Sequence, residues 1–197
     1  MPITAKGRAT RDRIIEGAAA FLRENEFGEI SLDDVRAVTA TSKGQLFHYF
    51  PHGKDELLLA VMRHEADRVL AEQQPHLGDL STWDAWQAWR EVLVARYRAQ
   101  GTHCPLNTLM GQIGSTPGAV DVVRALLVQW QGALATGIRS MQASGCADAD
   151  VDPDRLAGAM IAAIQGGVVV MRSTGRTEHL ESALDVMFTQ LRQPQPA

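Results

Sequence analysis

Apolar residues recur along this chain at three- and four-residue spacing, the period of an amphipathic helix, and no segment alternates between apolar and polar in the manner of a strand. From about Ala9 to Glu24, Ile14, Ala18, Phe21 and Leu22 share one helical face, and Asn25-Glu26-Phe27-Gly28 ends the run. Ser31-Leu32-Asp33-Asp34 then opens a short helix. Ser31 is the cap, Asp34 its reciprocal partner, and Ile30 with Val35 a hydrophobic staple. That helix ends near Thr39, and a second box, Ser42-Lys43-Gly44-Gln45, starts the next almost at once. Pro51 stops it.

A longer helix runs from Lys54 to about Gln74, before Pro75. Ser81-Thr82-Trp83-Asp84 reads as a further box, with Ser81 as cap. The helix it opens places Trp83, Trp86, Trp89, Leu93, Val94 and Tyr97 within about 140° of arc. His103-Cys104-Pro105-Leu106-Asn107 breaks the pattern, and a short helical piece follows to about Ile113. Thr116-Pro117 combines a cap with proline at the first helical position, opening a helix that reaches about Ser144 and stops at Gly145. Asp152-Pro153-Asp154 repeats the device. From Leu156 to Met171 the only polar side chain is Gln165, so this helix must be covered on all sides. The last helix, about Glu178 to Arg192, carries Leu180, Ala183, Leu184, Met187, Phe188 and Leu191 at helical spacing. The expected architecture is all-α with about nine helices.

Composition narrows the class. The chain has 197 residues, of which 45% are hydrophobic and 21% charged. That excludes disorder, collagen-like repeats and a disulfide-dense scaffold. Two cysteines, Cys104 and Cys146, fit a reducing compartment better than a secreted one. The apolar run from Leu156 to Met171 is shorter than the roughly 20 residues a membrane span needs, so a cytoplasmic protein without membrane contact is expected.

The net charge of −4 hides an asymmetry. Residues 1–54 are net +1 and the remainder net −5. Lys6, Arg8, Arg11 and Arg13 face only Asp12 in the first 13 residues. Such a basic arm suits contact with a polyanion, by phosphate contact or entry into a minor groove, or else it is merely solvated.

Two short helices joined by a tight turn behind a longer amphipathic helix form a helix-turn-helix candidate. A second helix that enters the major groove must expose donors and acceptors at its amino-terminal face and be anchored from behind by apolar residues. Leu46 and Phe50, four apart, supply the anchor; Lys43, Gln45, Phe47, His48 and Tyr49 cover the rest. Gly44 allows close approach to the duplex, Gln45 offers a bidentate contact to adenine, and Lys43 reaches guanine or phosphate. Ser31, Ser42 and Lys54 sit at helix amino termini, where free N–H groups clamp phosphates.

These residues carry a resemblance. Ser31-Leu32-Asp33-Asp34-Val35, Thr41-Ser42-Lys43-Gly44-Gln45-Leu46-Phe47-His48-Tyr49-Phe50 and Lys54-Asp55-Glu56-Leu57-Leu58 resemble the amino-terminal signature of TetR-type transcriptional regulators over about residues 10–60. The rest of the chain is similar only in helix order and length. Cys104-Pro105-Leu106-Asn107 resembles a subgroup related to multidrug-resistance regulators.

The chain departs from the family pattern at Arg36, where a small residue is usual, and at Ala40, where the turn usually has glycine. A non-glycine residue in a left-handed turn is disfavoured by roughly 1 kcal/mol, so a differently built turn is expected. Phe47 replaces a tyrosine, and Pro51-His52-Gly53 lengthens the link to Lys54 by one residue.

The resemblance implies a helix-turn-helix DNA-binding domain over residues 1–54 and a helical effector-binding and dimerisation domain over 55–197. It implies a homodimeric repressor that binds a near-palindromic operator in double-stranded DNA and is released by a small hydrophobic or aromatic effector. Two helices of each subunit would pair in a four-helix bundle. Gly166-Gly167 permits close approach there, and Leu156, Ile164, Gly167, Met171, Leu184 and Phe188 are the expected interface residues.

Trp83, Trp86, Trp89 and Trp130, with Tyr97, Cys104, Asn107 and Met110, are the candidate effector pocket; core packing is the competing account of each tryptophan. Cys104 beside His103 lacks the partners of a metal site, and Pro51 and Gly53 break any helical pairing of His48 with His52, so no metal and no cofactor is expected. Gln165 suits either an interface hydrogen bond or a ligand contact. Enzyme motifs are missing: there is no G-x-S-x-G, Walker loop, dinucleotide-binding glycine pattern or H-E-x-x-H. A helical carrier or adaptor without DNA binding is a second reading, and a small helical enzyme a third.

Overall fold

Five helix starts rest on side-chain caps, and three starts are displaced from where the sequence puts them. A computed structural model describes residues 4–24, 31–101 and 114–192. Among the described residues there are eight α-helices, one short 3-10 turn at His76–Gly78, and no strand. The helices are α1 (Ala5–Glu24), α2 (Leu32–Val38), α3 (Lys43–Tyr49), α4 (Lys54–Ala71), α5 (Trp83–Gln100), α6 (Ala119–Ala143), α7 (Pro153–Thr174) and α8 (Glu178–Leu191). The short piece expected before Ile113 lies outside the described residues.

The first displacement is at α1, which begins at Ala5, not near Ala9. Thr4 is the reason: its Oγ1 accepts from the Gly7 N–H at 3.1 Å, satisfying a first-turn donor. Lys6, Arg8, Arg11 and Arg13 are therefore helical, and the expected basic arm is the first half of α1. The second is at α5, where Thr82, not Ser81, is the cap and accepts from the Ala85 N–H at 3.2 Å. The Ser81 N–H is drawn back to Asp79 Oδ1 at 3.2 Å, which leaves the extended Thr82 at the boundary. The third is at α6, which starts at Ala119 although Thr116-Pro117 looked like a cap and first residue. Gly118 has φ +82°, a conformation that a right-handed helix does not contain.

Two compact units divide the chain: Met1–Val69 with His103–Arg124, and Leu70–Thr102 with Ala125–Ala197. In the first unit, Ile14, Ile15, Ala18, Ala19 and Leu22 of α1 form one core with Val35 of α2, Leu46 and Phe50 beside α3, and Leu57, Leu58 and Val61 of α4. Glu65 of α4 is only 3% exposed, and the Arg23 guanidinium of α1 donates to its Oε1. A carboxylate that deep in the core needs such a partner, and the pair ties α1 to α4.

In the second unit, α5 buries Trp86, Trp89, Leu93, Val94 and Tyr97. Asp152 caps α7 by accepting from the Asp154 and Arg155 N–H groups, with Pro153 at the first position. Helix α7 is long and apolar enough, by length and composition, to cross a membrane; 44% of its apolar window is buried inside the protein. It packs on α8 so closely that a Cβ at Gly167 would lie 2.7 Å from the Leu180 Cα. Nothing lies within 4 Å of the same atom built at Gly166. The glycine pair is split, with Gly167 serving α8 of its own chain and Gly166 on the outer face.

Candidate nucleic-acid interface

The turn between α2 and α3 sets the direction of α3, and it is left-handed after all. Ala40 has φ +47°. The Ala40 N–H donates to Ala37 O and the Thr41 N–H to Arg36 O, the two bonds of a Schellman motif that is usually closed by glycine. The expectation of a differently built turn is corrected here. Two hydrogen bonds hold alanine in place, one of them long-range: the Arg13 guanidinium of α1 donates to Thr39 O, and the Thr39 hydroxyl donates to Val35 O at 2.6 Å. Thr39 and Thr41, both buried, share a hydroxyl contact of 2.8 Å. Arg36 is accommodated by turning outward to Asp33 at 2.6 Å.

Helix α3 is capped reciprocally. Ser42 Oγ accepts from the Gln45 N–H, and Gln45 Oε1 accepts from the Ser42 N–H, each at 3.2 Å. Leu46 and Phe50 are buried in the core of the first unit. Ser42, Lys43, Gly44, Gln45, Phe47 and His48 are exposed, and Tyr49 is half-buried against that core. A Cβ at Gly44 would meet nothing within 4 Å, so that stretch of backbone is open to approach. His48 packs edge-on to Tyr49 at 4.9 Å. Phe47, 40% exposed, offers an apolar surface of the kind that meets a thymine methyl.

The flanking positions are helix amino termini. Ser31 caps α2 by accepting from the Asp34 N–H at 3.1 Å, and Asp34 Oδ2 accepts from the Ser31 N–H and hydroxyl at 2.9 and 2.6 Å. The Ser31 hydroxyl, then its N–H, hold the Asp34 carboxyl below the usual carboxylate range. Lys54 is the first residue of α4 and half-buried. Arg8 is exposed on α1, whereas Arg11 stacks 5.3 Å from the Phe50 ring centre. Arg13, which the sequence marked only as a basic residue, is the one that grips the turn.

The aromatic candidates of the second unit separate. Trp83 is half-buried; its Nε1 donates to Cys146 O at 3.1 Å and the Arg192 guanidinium lies over its ring. Trp86, Trp89, Trp130 and Tyr97 are at most 1% exposed. Trp86 stands edge-on to Trp89 and to Phe188 at 5.7 and 5.6 Å. Trp89 Nε1 donates to the buried Gln73 at 2.9 Å. Cys104, Asn107 and Met110 lie outside the described residues.

The six expected interface residues, Leu156, Ile164, Gly167, Met171, Leu184 and Phe188, are all buried by their own chain. They belong to the core of the second unit. The solvent side of α7 carries Ala159, Ala162, Gly166 and Val169, which recur at helical spacing, and α8 exposes Val186.

Comparison with known proteins adds two family matches. Residues 14–61 match the model described as bacterial regulatory proteins, tetR family. Residues 81–187 match the one described as tetracyclin repressor-like, C-terminal domain. The transcriptional regulator AcuR of Cereibacter sphaeroides is 26% identical over 178 residues, 86% of this chain and 79% of its own. An uncharacterized HTH-type transcriptional regulator of Mycobacterium tuberculosis is 29% identical over 90 residues. That match covers 46% of this chain and 43% of the relative, less than half the relative's length. Among solved structures, a TetR transcriptional regulator from Chloroflexus aurantiacus superposes with a TM-score of 0.80 at 26% identity, over 97% of this chain and 100% of the other. A TetR-family regulator from Cytophaga hutchinsonii has a TM-score of 0.82 at 19% identity, over 98% and 99% of the two chains, a likeness of fold alone.

Proposed function

The chain belongs to the TetR family of bacterial transcriptional regulators, and from that premise we propose that it is a ligand-responsive repressor. It binds a near-palindromic operator as a homodimer and leaves the DNA when a small hydrophobic effector enters the larger helical domain. The DNA-binding part is residues 1–54, and residues 55–197 hold the effector and the dimer contact. The carrying observation is the division of α3. Leu46 and Phe50 are sunk in the core, while Lys43, Gly44 and Gln45 stand open at a capped amino terminus. That division is what a groove-reading helix requires.

Lys43 and the Gln45 amide contact base edges, Phe47 a thymine methyl, and His48, Tyr49, Ser31, Ser42, Lys54, Arg8 and Arg11 the backbone. The second subunit covers Ala159, Ala162, Gly166 and Val169 of α7 with Val186 of α8. Release is a population shift: the effector weakens operator binding by its differential affinity for a state with wrongly spaced recognition helices. A titration against the DNA upstream of the chain's own gene and against random DNA, each at two salt concentrations, tests the reading. Tighter binding to the upstream DNA supports it; equal binding to both, or none, rejects it.

A further inference from the structure

We propose that the effector of this chain is an anion, a carboxylate on an apolar body, and that the Arg96 guanidinium reads its charge. The inference rests on the reading of the second unit as effector-binding, and it follows from which polar atoms that unit leaves without partners.

Trp86 Nε1, Trp130 Nε1, Gln165 Nε2 and Arg96 Nη1 are enclosed donors with no acceptor in hydrogen-bond reach. Gln100 Oε1 is an enclosed acceptor without a donor. The surplus is of donors, and enclosed polar groups ordinarily find partners. Trp89 shows an indole that this interior satisfies by itself, with Gln73 Oε1 at 2.9 Å. Trp86 and Trp130, both 0% exposed, receive no such acceptor. An indole nitrogen donates and never accepts, so only an acceptor satisfies it.

Arg96 adds the sign of the charge. Its side chain is 8% exposed. Nε is engaged by the Glu72 carboxylate, and the guanidinium carbon lies 5.6 Å from the Tyr97 ring centre. Nη1 is left over. Glu72 is 30% exposed, so water screens the carboxylate that offsets this buried cation. A guanidinium matches a carboxylate in plane and spacing. A neutral hydrocarbon would leave Arg96 Nη1 unpaired, and a cation would meet a like charge.

Calorimetric titration of the full-length chain is the test, with octanoate and benzoate, their methyl esters, and octylamine and benzylamine as probes. The expected result is binding of at least one acid about tenfold tighter than its ester, with no binding of the amines. In Arg96→Met the acid loses that advantage while the ester keeps its affinity, a change that a merely structural role does not produce. If Arg96→Met fails to fold, the comparison of acid, ester and amine on the unaltered chain still decides. Esters or amines that bind as tightly as the acids, acids that do not bind at all, or an unchanged preference in Arg96→Met would overturn the proposal. Operator binding is followed in the same preparation. If acids bind but no DNA does, the regulator reading fails and the charge assignment stands. If only esters release the DNA, the charge assignment fails and the regulator reading stands.

Discussion

Gln45 closes the amino terminus of its own helix: its Oε1 accepts from the Ser42 N–H at 3.2 Å, in the position from which it would read a base. The side-chain oxygen is engaged in the free protein, and the amide N–H₂ is the end that can turn to the duplex. A bidentate contact with adenine then requires the oxygen to be shared or the cap to be opened. The residue has two separable roles, and substitutions can part them. Gln45→Ala loses both. It should lower the unfolding midpoint and cost about 1–3 kcal/mol at one base pair, with relaxed preference there. Gln45→Glu preserves the reciprocal cap, so its midpoint should match or exceed that of the unaltered chain. It should bind DNA far more weakly, because a carboxylate replaces a donor beside phosphates. Operator binding that survives Gln45→Glu would place this side chain outside the groove.

Lys54 begins α4, where a cation and free N–H groups meet. Its removal should weaken binding to all sequences alike. The slope of log K against log salt should fall by about one phosphate contact, a change near 0.9. A loss confined to the operator would argue for base reading instead.

The left-handed Ala40 invites a stabilising change. Ala40→Gly relieves a conformation that costs alanine about 1 kcal/mol and should raise the denaturant midpoint without altering its slope. Arg13→Ala removes the donor to Thr39 O and should lower the midpoint. In the double variant the effects should not add, because glycine needs the clamp less than alanine does. Additive effects would show that Arg13 and the turn are independent.

Substitutions on α7 and α8 should separate subunit contact from core. Val169→Asp replaces a side chain that is 58% exposed, so the subunit should fold normally but sediment as a monomer. Leu184→Ala opens the interior and should cost about 2–5 kcal/mol of stability. A dimer that persists in Val169→Asp would move the interface elsewhere.

Acid should withdraw the stability that Glu178 and Asp34 contribute. The hydrogen bond from Arg176 pulls the Glu178 carboxyl from 4.5 to about 2, and the Ser31 bonds lower that of Asp34. Both groups bind protons less readily when folded. The stability they contribute is present above the ordinary carboxylate range and is lost as pH falls through the folded values. Glu178→Gln should flatten the decline between pH 4.5 and about 2, as read from thermal midpoints. An identical acid limb in the variant would deny the pair any role.

Local chemistry was the legible part of this protein. Ser31 with Asp34, Ser42 with Gln45, and Asp152 before Pro153 announce helix starts because each cap and its donor lie within three residues. The cap of α5 falls one residue after Ser81 because that boundary depends on Asp79 competing for the Ser81 N–H. The outer face of α7 was hidden for a different reason. From Leu156 to Met171 apolar residues surround the helix, so their pattern carries no phase to tell the side packed on α8 from the side left open. The hold of Arg13 on Thr39 spans 26 residues, and nothing local signals it. Equal spacing likewise grouped Trp83 with Trp86 and Trp89, although Trp83 stands at the first turn of α5, partly in solvent.

The most direct test of the central claim is footprinting of the DNA upstream of the gene with the purified chain, with its sedimentation measured at the same concentrations. Two protected half-sites one helical turn or a whole multiple apart, filled together by a dimer, are the predicted result. A chain that sediments as a monomer and leaves that DNA uniformly cleaved would contradict it.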